Sequence, residues 1–184
     1  MVVEIFSIVK DQEEMLPLYF KHYNEVFSNV IFNIYNNKST DDSVKICESQ
    51  NCNIVDISYL DVPKGGSIGD FPKEFATYNE RVNKYLNDRE YNDTADWVLM
   101  ADPDELVHIT TEDLINEDAD VIRFTGYQMI KNDETNLEEL TLGFNDGVYN
   151  KPSLFRSSIT MNFGMGAHTA NPERKDGKEI KYNN

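Results

Sequence analysis

The chain has 184 residues, of which 40% are hydrophobic and 11% aromatic, so it can bury the core of one domain and is not disordered. Its formal net charge of −16 argues against sequence-independent binding to nucleic acid or to an anionic membrane, because both need clustered lysine and arginine. No apolar run approaches the roughly 18 residues of a membrane-spanning helix.

The first third of the chain alternates predicted strands and helices. The β-branched segment 2–9 predicts a strand, and the helical spacing of apolar residues over 15–27 predicts a helix. A second strand over 30–35, a helix over 44–49 and a third strand over 53–57 follow. This alternation is typical of an α/β sheet with parallel neighbouring strands.

The remaining elements are less regular. In chain order they are a glycine-containing connector over 61–70, a helix over 71–86, a buried strand over 97–101, a short helix from Thr111, and strands over 121–130 and 148–157. The chain after Pro172 is charged and poor in apolar residues, so we expect residues 173–184 to be a poorly ordered tail.

The two cysteines and the N-terminus bear on the cellular compartment. Cys47 and Cys52 match no zinc or redox spacing, and we expect free thiols in a reducing compartment. The first ten residues lack the basic and apolar regions of a signal peptide. We therefore expect a cytoplasmic protein without a membrane span.

Two carboxylates directly follow the buried strand over 97–101. Asp102 and Asp104 flank Pro103, which has no backbone donor and is expected to end the strand. Acids at the end of a buried strand are costly unless a cation neutralises them. Mg²⁺ and Mn²⁺ take oxygen ligands and often bridge protein carboxylates to substrate phosphates. Asp-Pro-Asp is also good turn chemistry, so a plain turn remains an alternative.

Other polar residues follow the first two predicted strands. Lys10 comes after the first strand, and Asn36 and Asn37 come after the second. Ligands of open α/β sheets bind beyond the carboxyl ends of the strands, so these residues and the acidic pair are expected at one site.

Four segments between residues 3 and 168 resemble A-type glycosyltransferases, in particular family-2-like enzymes. They are 8–13 with Leu16, 34–43, 96–106 with its Asp-X-Asp motif, and 150–156 followed by Gly166-Ala-His. The resemblance implies one α/β domain over 1–184, with a Rossmann-like mixed sheet and helices on both faces. The sequence ends soon after His168, so we also consider that the chain is part of a longer enzyme.

The resemblance also implies an activity and a metal. A sugar would pass from a nucleotide-diphosphate sugar to a glycan or other hydroxyl acceptor, with inversion expected. Mn²⁺ or Mg²⁺ would be held by Asp104 and His168, and Asp102 would share the ion or face the ribose. Lys10 and the Asn36-Asn37 loop would lie near the base and ribose. An imidazole ligand tilts the preference toward Mn²⁺.

Further roles follow from the chemistry of this transfer. Lys151 and Arg156 are candidates for positive charge near the diphosphate, with ordinary strand-surface charges as the alternative. Inversion needs a general base, and Asp133 and Asp146 are the candidates, with plain loop acids as the alternative. His168 is equally well explained as a loop histidine.

Two departures from the family pattern are visible. The second loop carries Asn36-Asn37 where many family-2 enzymes have an aspartate pair, and the usual Glu-Asp pair that supplies the base is not found. A nucleotidyltransferase is one competing hypothesis, although the loop after the first strand is acidic rather than glycine-rich and basic. A noncatalytic module that uses the acidic turn for Ca²⁺ or a protein partner is another.

Overall fold

The computed structural model describes residues 1–56, 83, 95–130, 143–145, 147, 150–164 and 169–183. The first elements are β1 (Val3–Val9), α1 (Leu16–Val26), β2 (Val30–Asn36), α2 (Ser43–Ser49), β3 (Asn53–Asp56) and β4 (Trp97–Met100). They are followed by α3 (Thr111–Ile115), β5 (Val121–Phe124), β6 (Tyr127–Met129), β7 (Gly143–Asn145), β8 (Lys151–Arg156), β9 (Ile159–Phe163), β10 (Ala170–Arg174) and β11 (Tyr182–Asn183).

Seven of the described strands form a mixed central sheet in the order β11-β5-β8-β4-β1-β2-β3. Strands β4, β1, β2 and β3 run parallel to one another, as the strand–helix alternation predicts. Strand β8 is antiparallel to both of its neighbours, β4 and β5, while β11 is parallel to β5. The prediction of a mixed α/β sheet is therefore confirmed.

Apolar side chains cover both faces of this sheet. On one face, Leu16 and Tyr23 of α1, Cys47 of α2 and Leu114 of α3 pack with alternate residues of the central strands. On the other face, residues of β8 and β9 pack with the remaining central positions, including those of β4. Strand β4 is buried on both sides, which explains why its sequence is a continuous apolar run. Of the helix expected over 71–86, only residue 83 belongs to the described part of the chain, and it is helical.

The single strand expected over 121–130 is two strands. Strand β5 joins the central sheet, whereas β6 pairs with β7 in a separate antiparallel ribbon. The pairing of β5 with β8 is irregular between Ile122 and Phe124, and the backbone N–H of Gly126 then donates to the side chain of Asn150. This irregularity and the Gly126 contact separate two strands whose sequences look continuous.

The described part of the tail, residues 173–183, is incorporated in the fold, contrary to the expectation of poor order. Strand β11 pairs with β5 at the sheet edge, and Arg174 ends β10. The Arg174 guanidinium lies 2.8 Å from the carboxylate of Asp120, which also accepts the backbone N–H of Lys181 at 2.9 Å. Charged side chains here form specific pairs, so low apolar content does not prevent order.

No helix in the described ranges combines the length and the apolar character that crossing a bilayer requires.

Candidate functional site

The carboxyl ends of the parallel strands bring several predicted site residues to one edge of the sheet. Val9 at the end of β1 is in register with Asn36 at the end of β2. On the other side of β1, the backbone N–H of Ala101 donates to the carbonyl of Phe6 at 3.1 Å, so Asp102 leaves β4 beside the last residues of β1. Lys10, Asn36, Asn37 and Asp102 therefore share this edge, as does Asp104 in the turn that follows.

The acidic turn is closed by backbone and side-chain hydrogen bonds. The Glu105 N–H donates to the Asp102 carbonyl at 2.9 Å, and the Asp102 N–H donates to Oε2 of Glu105 at 3.3 Å. Pro103 is buried, whereas Asp104 is exposed. Tyr23 of α1 also stabilises the turn, because its hydroxyl donates to the Glu105 carbonyl at 2.7 Å. Asp104 is thus presented to solvent by a fixed turn.

Asp102 is partly buried in this turn. Burial raises the pKa of its carboxyl to about 7, and the negative charge of Glu105 adds to the increase, while the positive charge of Lys151 opposes it. The ionised form is therefore disfavoured unless a further cation comes close.

The loops after β1 and β2 are joined to each other. The Asp11 carboxylate accepts the backbone N–H of Thr40 at 2.7 Å, and this bond is the main cause that lowers the pKa of Asp11. The Gln12 N–H donates to the Ser43 hydroxyl at 2.8 Å, and the Glu13 N–H donates to Asp41 at 3.0 Å. These reciprocal bonds make the two loops one rigid rim next to the acidic turn.

Asn36 and Asn37 are both buried, and Asn36 organises the rim. The Asn36 amide donates to the Asp56 carboxylate at 2.8 Å, and its oxygen accepts the N–H of Ser39 at 3.0 Å. Asn37 donates its backbone N–H to the Val9 carbonyl at 2.8 Å. Asp56, which ends β3, also reaches this edge, and its position at the end of a predicted strand was the available sequence signal.

Lys10 is tied to the rim by its own neighbours. Its ammonium contacts the Lys38 carbonyl and lies 3.3 Å from the Asp11 carboxylate. Both Asp11 and Lys38 have positive φ angles, 50° and 54°, so the backbone turns sharply on each side of this contact. The charge of Lys10 is partly compensated by Asp11, and its side chain remains substantially exposed.

Lys151 and Arg156 begin and end β8 and therefore lie at opposite ends of it. Lys151 is buried and its ammonium contacts Oε1 of Glu105 at the acidic turn. Arg156 is in register with Trp97 at the start of β4, and its guanidinium lies 4.0 Å from the centre of the Trp97 ring. It also donates to the carbonyls of Glu117 and Ala119. The structure does not bring Arg156 to the acidic turn, because strand register separates the two ends.

Three predicted site residues, Asp133, Asp146 and His168, lie outside the described residues. Among the residues that are described, no three His, Cys, Asp or Glu side chains are grouped so that they could hold a metal ion. Glu105 is the residue at this site whose importance sequence reasoning missed. Its place three residues after Asp102 was visible, but its pairing with Lys151 depends on the antiparallel placement of β8.

The sequence matches no family model and no curated protein. Among solved structures, the chain is similar to S. aureus TarS, with 14% identity and a TM-score of 0.49 over 86% of this chain and 29% of that one. A structure of TarS 1–349 in complex with UDP-GlcNAc gives 14% identity and a TM-score of 0.48 over 100% of this chain and 58% of the other. A 4-diphosphocytidyl-2C-methyl-D-erythritol synthase gives 12% identity and a TM-score of 0.39, with 85% and 75% of the two chains covered.

The chain spans less than a third of the first TarS structure and between 47% and 60% of the 1–349 structures. At these identities and TM-scores the similarities carry no inference about activity, and the description of the site depends on its own residues.

Proposed function

We propose that the chain is an A-type glycosyltransferase that moves a sugar from a nucleotide-diphosphate sugar to an acceptor hydroxyl, with inversion. The observation that carries this proposal is the placement of Asp102 and Asp104 on a fixed turn beside the joined loops after β1 and β2. A donor at this edge would have its nucleoside near the loops and its diphosphate near the acids. Three of the four segments that resemble family-2-like enzymes, 8–13, 34–43 and 96–106, contain these loops and this turn.

The proposal includes a divalent metal ion bound at the acidic turn. Asp102 and Asp104 supply oxygen ligands, which hard cations prefer, and His168 is the proposed third ligand. Because burial raises the pKa of Asp102, a bound cation would be needed to keep its carboxylate ionised at neutral pH. An imidazole ligand favours Mn²⁺ over Mg²⁺. When bound, the ion would stabilise the negative charge that develops on the departing diphosphate.

The net charge of the whole chain also supports a cation at the donor site. With a net charge of −16, the protein repels a free nucleotide diphosphate unless positive charge is concentrated at the site. Of the two predicted basic residues of β8, only Lys151 is near the turn, and it is already paired with Glu105. A metal ion is therefore the more effective source of local positive charge.

The chain's own side chains would divide the remaining tasks. Lys10, Asn36 and Asn37 would orient the base and ribose through the rim that they build. Asp102 would bind the cation or contact the ribose. Asp133 or Asp146 would accept the proton of the acceptor hydroxyl as general base, which an inverting transfer requires.

The proposal is tested first by binding. A thermal-shift screen of nucleotide sugars, with and without Mn²⁺, should include UDP and UDP-GlcNAc, the ligands in the TarS structures. A donor present at a hundred times its dissociation constant would stabilise the fold by about 2.7 kcal/mol. The melting temperature of the protein should therefore rise when the donor is added with Mn²⁺ and not when it is added with chelator.

The Asp104→Asn variant then tests the acidic turn. We expect calorimetry to show a loss of about tenfold or more in the Mn²⁺-dependent affinity for the selected donor, because one ligand loses its charge. Asp104 is exposed, so the fold should persist. Asp118→Asn, at a side chain that is 89% exposed, is the matched control and should bind normally. Unchanged donor affinity in Asp104→Asn would contradict the proposal.

A further inference from the structure

Glu105 connects the acidic turn to two other elements. Its Oε2 accepts the Asp102 N–H at 3.3 Å, and its own N–H donates to the Asp102 carbonyl at 2.9 Å. Its Oε1 contacts the ammonium of Lys151 in β8, and its carbonyl accepts the hydroxyl of Tyr23 in α1 at 2.7 Å. Both oxygens of one carboxylate are therefore used, one within the turn and one on β8.

Lys151 reaches this carboxylate because of the sheet topology. Strand β8 runs antiparallel to β4, so the first residue of β8 lies where β4 ends. The Lys151 side chain is only 10% exposed, and that of Glu105 is 26% exposed. A buried ammonium is costly without a partner, and an ion pair of this kind is strongly disrupted when one member is removed. If Lys151 turned toward a diphosphate, it would leave Glu105 uncompensated.

We propose that Glu105 and Lys151 form a positioning pair that fixes the turn from Asp102 to Glu105, with Lys151 acting through Glu105 and not by contact with the donor. This inference depends on the proposed function for its purpose, since the turn is held for the metal and donor. The pair is internally neutral, so Asp102 and Asp104 together offer two negative charges to a divalent cation. Without Lys151, a third uncompensated carboxylate would lie in the same corner.

The first test measures the turn itself in metal-free protein. Within the turn over 102–105, the amides of Asp102 and Glu105 should exchange faster in Lys151→Met, which removes the ion pair, and in Glu105→Gln, because glutamine has one acceptor oxygen where the carboxylate has two. Lys151→Arg should retain protection, since it preserves the charge. The exposed pair Asp118–Lys181 supplies the matched controls Asp118→Asn and Lys181→Met. Unchanged exchange at 102–105 in Lys151→Met would overturn the inference.

The second test uses Mn²⁺ alone. The double variant Glu105→Gln/Lys151→Met has the net charge of the wild type, so any loss of Mn²⁺ affinity comes from geometry. We expect the Mn²⁺ affinity of the double variant to be about tenfold below that of the wild type. Because the two residues act as a unit, this loss should be no larger than the loss in whichever single variant binds Mn²⁺ more weakly. The inference would be overturned if the double variant bound Mn²⁺ as tightly as the wild type. It would also be overturned if Lys151→Met bound Mn²⁺ more tightly because the ammonium no longer repels the ion.

The two measurements separate this inference from the proposed function. If wild-type protein fails to bind Mn²⁺, the proposed function fails, and hydrogen exchange still decides whether the pair fixes the turn. If the wild type binds Mn²⁺ and the double variant binds it equally well, the proposed function stands, and the inference that the pair positions the turn fails.

Discussion

At the scale of single residues, Asp102 makes the metal-free fold sensitive to pH. Its folded-state pKa of about 7 is above the usual 3.8, so the folded protein binds the proton more tightly than the unfolded chain does. Stability from this group is therefore present below about pH 4 and is lost as the pH rises toward 7. The ionised carboxylate then destabilises the fold unless a cation is supplied.

We predict that Asp102→Asn stabilises the metal-free protein relative to wild type at pH 8, and not at pH 4.5. The gain should be on the order of 1–3 kcal/mol, because the amide is neutral at both values. Urea denaturation in chelator at the two pH values measures the difference. An equal gain in the free energy of unfolding at both pH values would show that the pKa of Asp102 is not raised. Mn²⁺ should stabilise wild type and not the variant.

The acidic residues were predictable from sequence in their position but not in their contacts. An apolar run that stops at Asp102-Pro103-Asp104 indicates where the strand ends, since proline removes the backbone donor. The partner of Glu105 was not predictable, because Lys151 is 46 residues away and reaches it only through β8. The same limitation placed Arg156 in the candidate site, although its register with Trp97 puts it at the other end of the strand.

At the scale of elements, the ends of β2 and β3 explain why asparagine is suited to position 36. Asn36 and Asp56 are in register on adjacent parallel strands, and the amide donates to the carboxylate at 2.8 Å. An aspartate at position 36 would place a second carboxylate at hydrogen-bonding distance from the first. Asparagine is therefore the residue compatible with Asp56 at this place.

We predict that Asn36→Asp destabilises the protein by about 1–2 kcal/mol at pH 7, through charge repulsion and the lost hydrogen bond. The loss should shrink at pH 4, because burial and Asp56 both favour the protonated form of the new carboxyl. Chemical denaturation at both pH values measures it. Asn51→Asp, which adds the same charge at an exposed turn, is the control. An equal loss at both pH values would contradict the repulsion.

The order of elements through β3 was predictable because strand–helix alternation has a short period and clear polar breaks. The division between β5 and β6 was not, because Thr125 and Gly126 interrupt only briefly a segment that otherwise suits one strand. The interruption takes effect through a tertiary contact, the hydrogen bond from Gly126 to Asn150. Local pattern cannot reveal a break that depends on a residue far away in the sequence.

At the scale of the whole molecule, the C-terminal segment completes one edge of the sheet. Asp120, which precedes β5, is 6% exposed and is neutralised by Arg174 from β10. Arg174 also holds Asp176, and this contact is the main cause that lowers the pKa of Asp176. The charged composition that predicted disorder therefore serves to anchor β11.

We predict that Arg174→Met lowers the free energy of unfolding by about 1–3 kcal/mol, because it leaves the buried Asp120 carboxylate without its counter-ion. Hydrogen exchange should also increase at β11 and at β5, which pair with each other. Urea denaturation and exchange measure the two effects. Lys175→Met, at an exposed neighbour, is the control and should leave both unchanged. A tail that exchanges no faster in Arg174→Met would contradict the anchoring role.

The strong negative charge of the chain makes nonspecific Mn²⁺ binding a general hazard, so the position of the ion matters more than its presence. The most direct test is anomalous diffraction at the manganese edge from crystals soaked with Mn²⁺ and the donor selected by thermal shift. We expect one strong peak within coordination distance of Asp104, bridging to the donor diphosphate. A donor bound elsewhere, or an acidic turn with no manganese peak in a donor-bound crystal, would contradict the account.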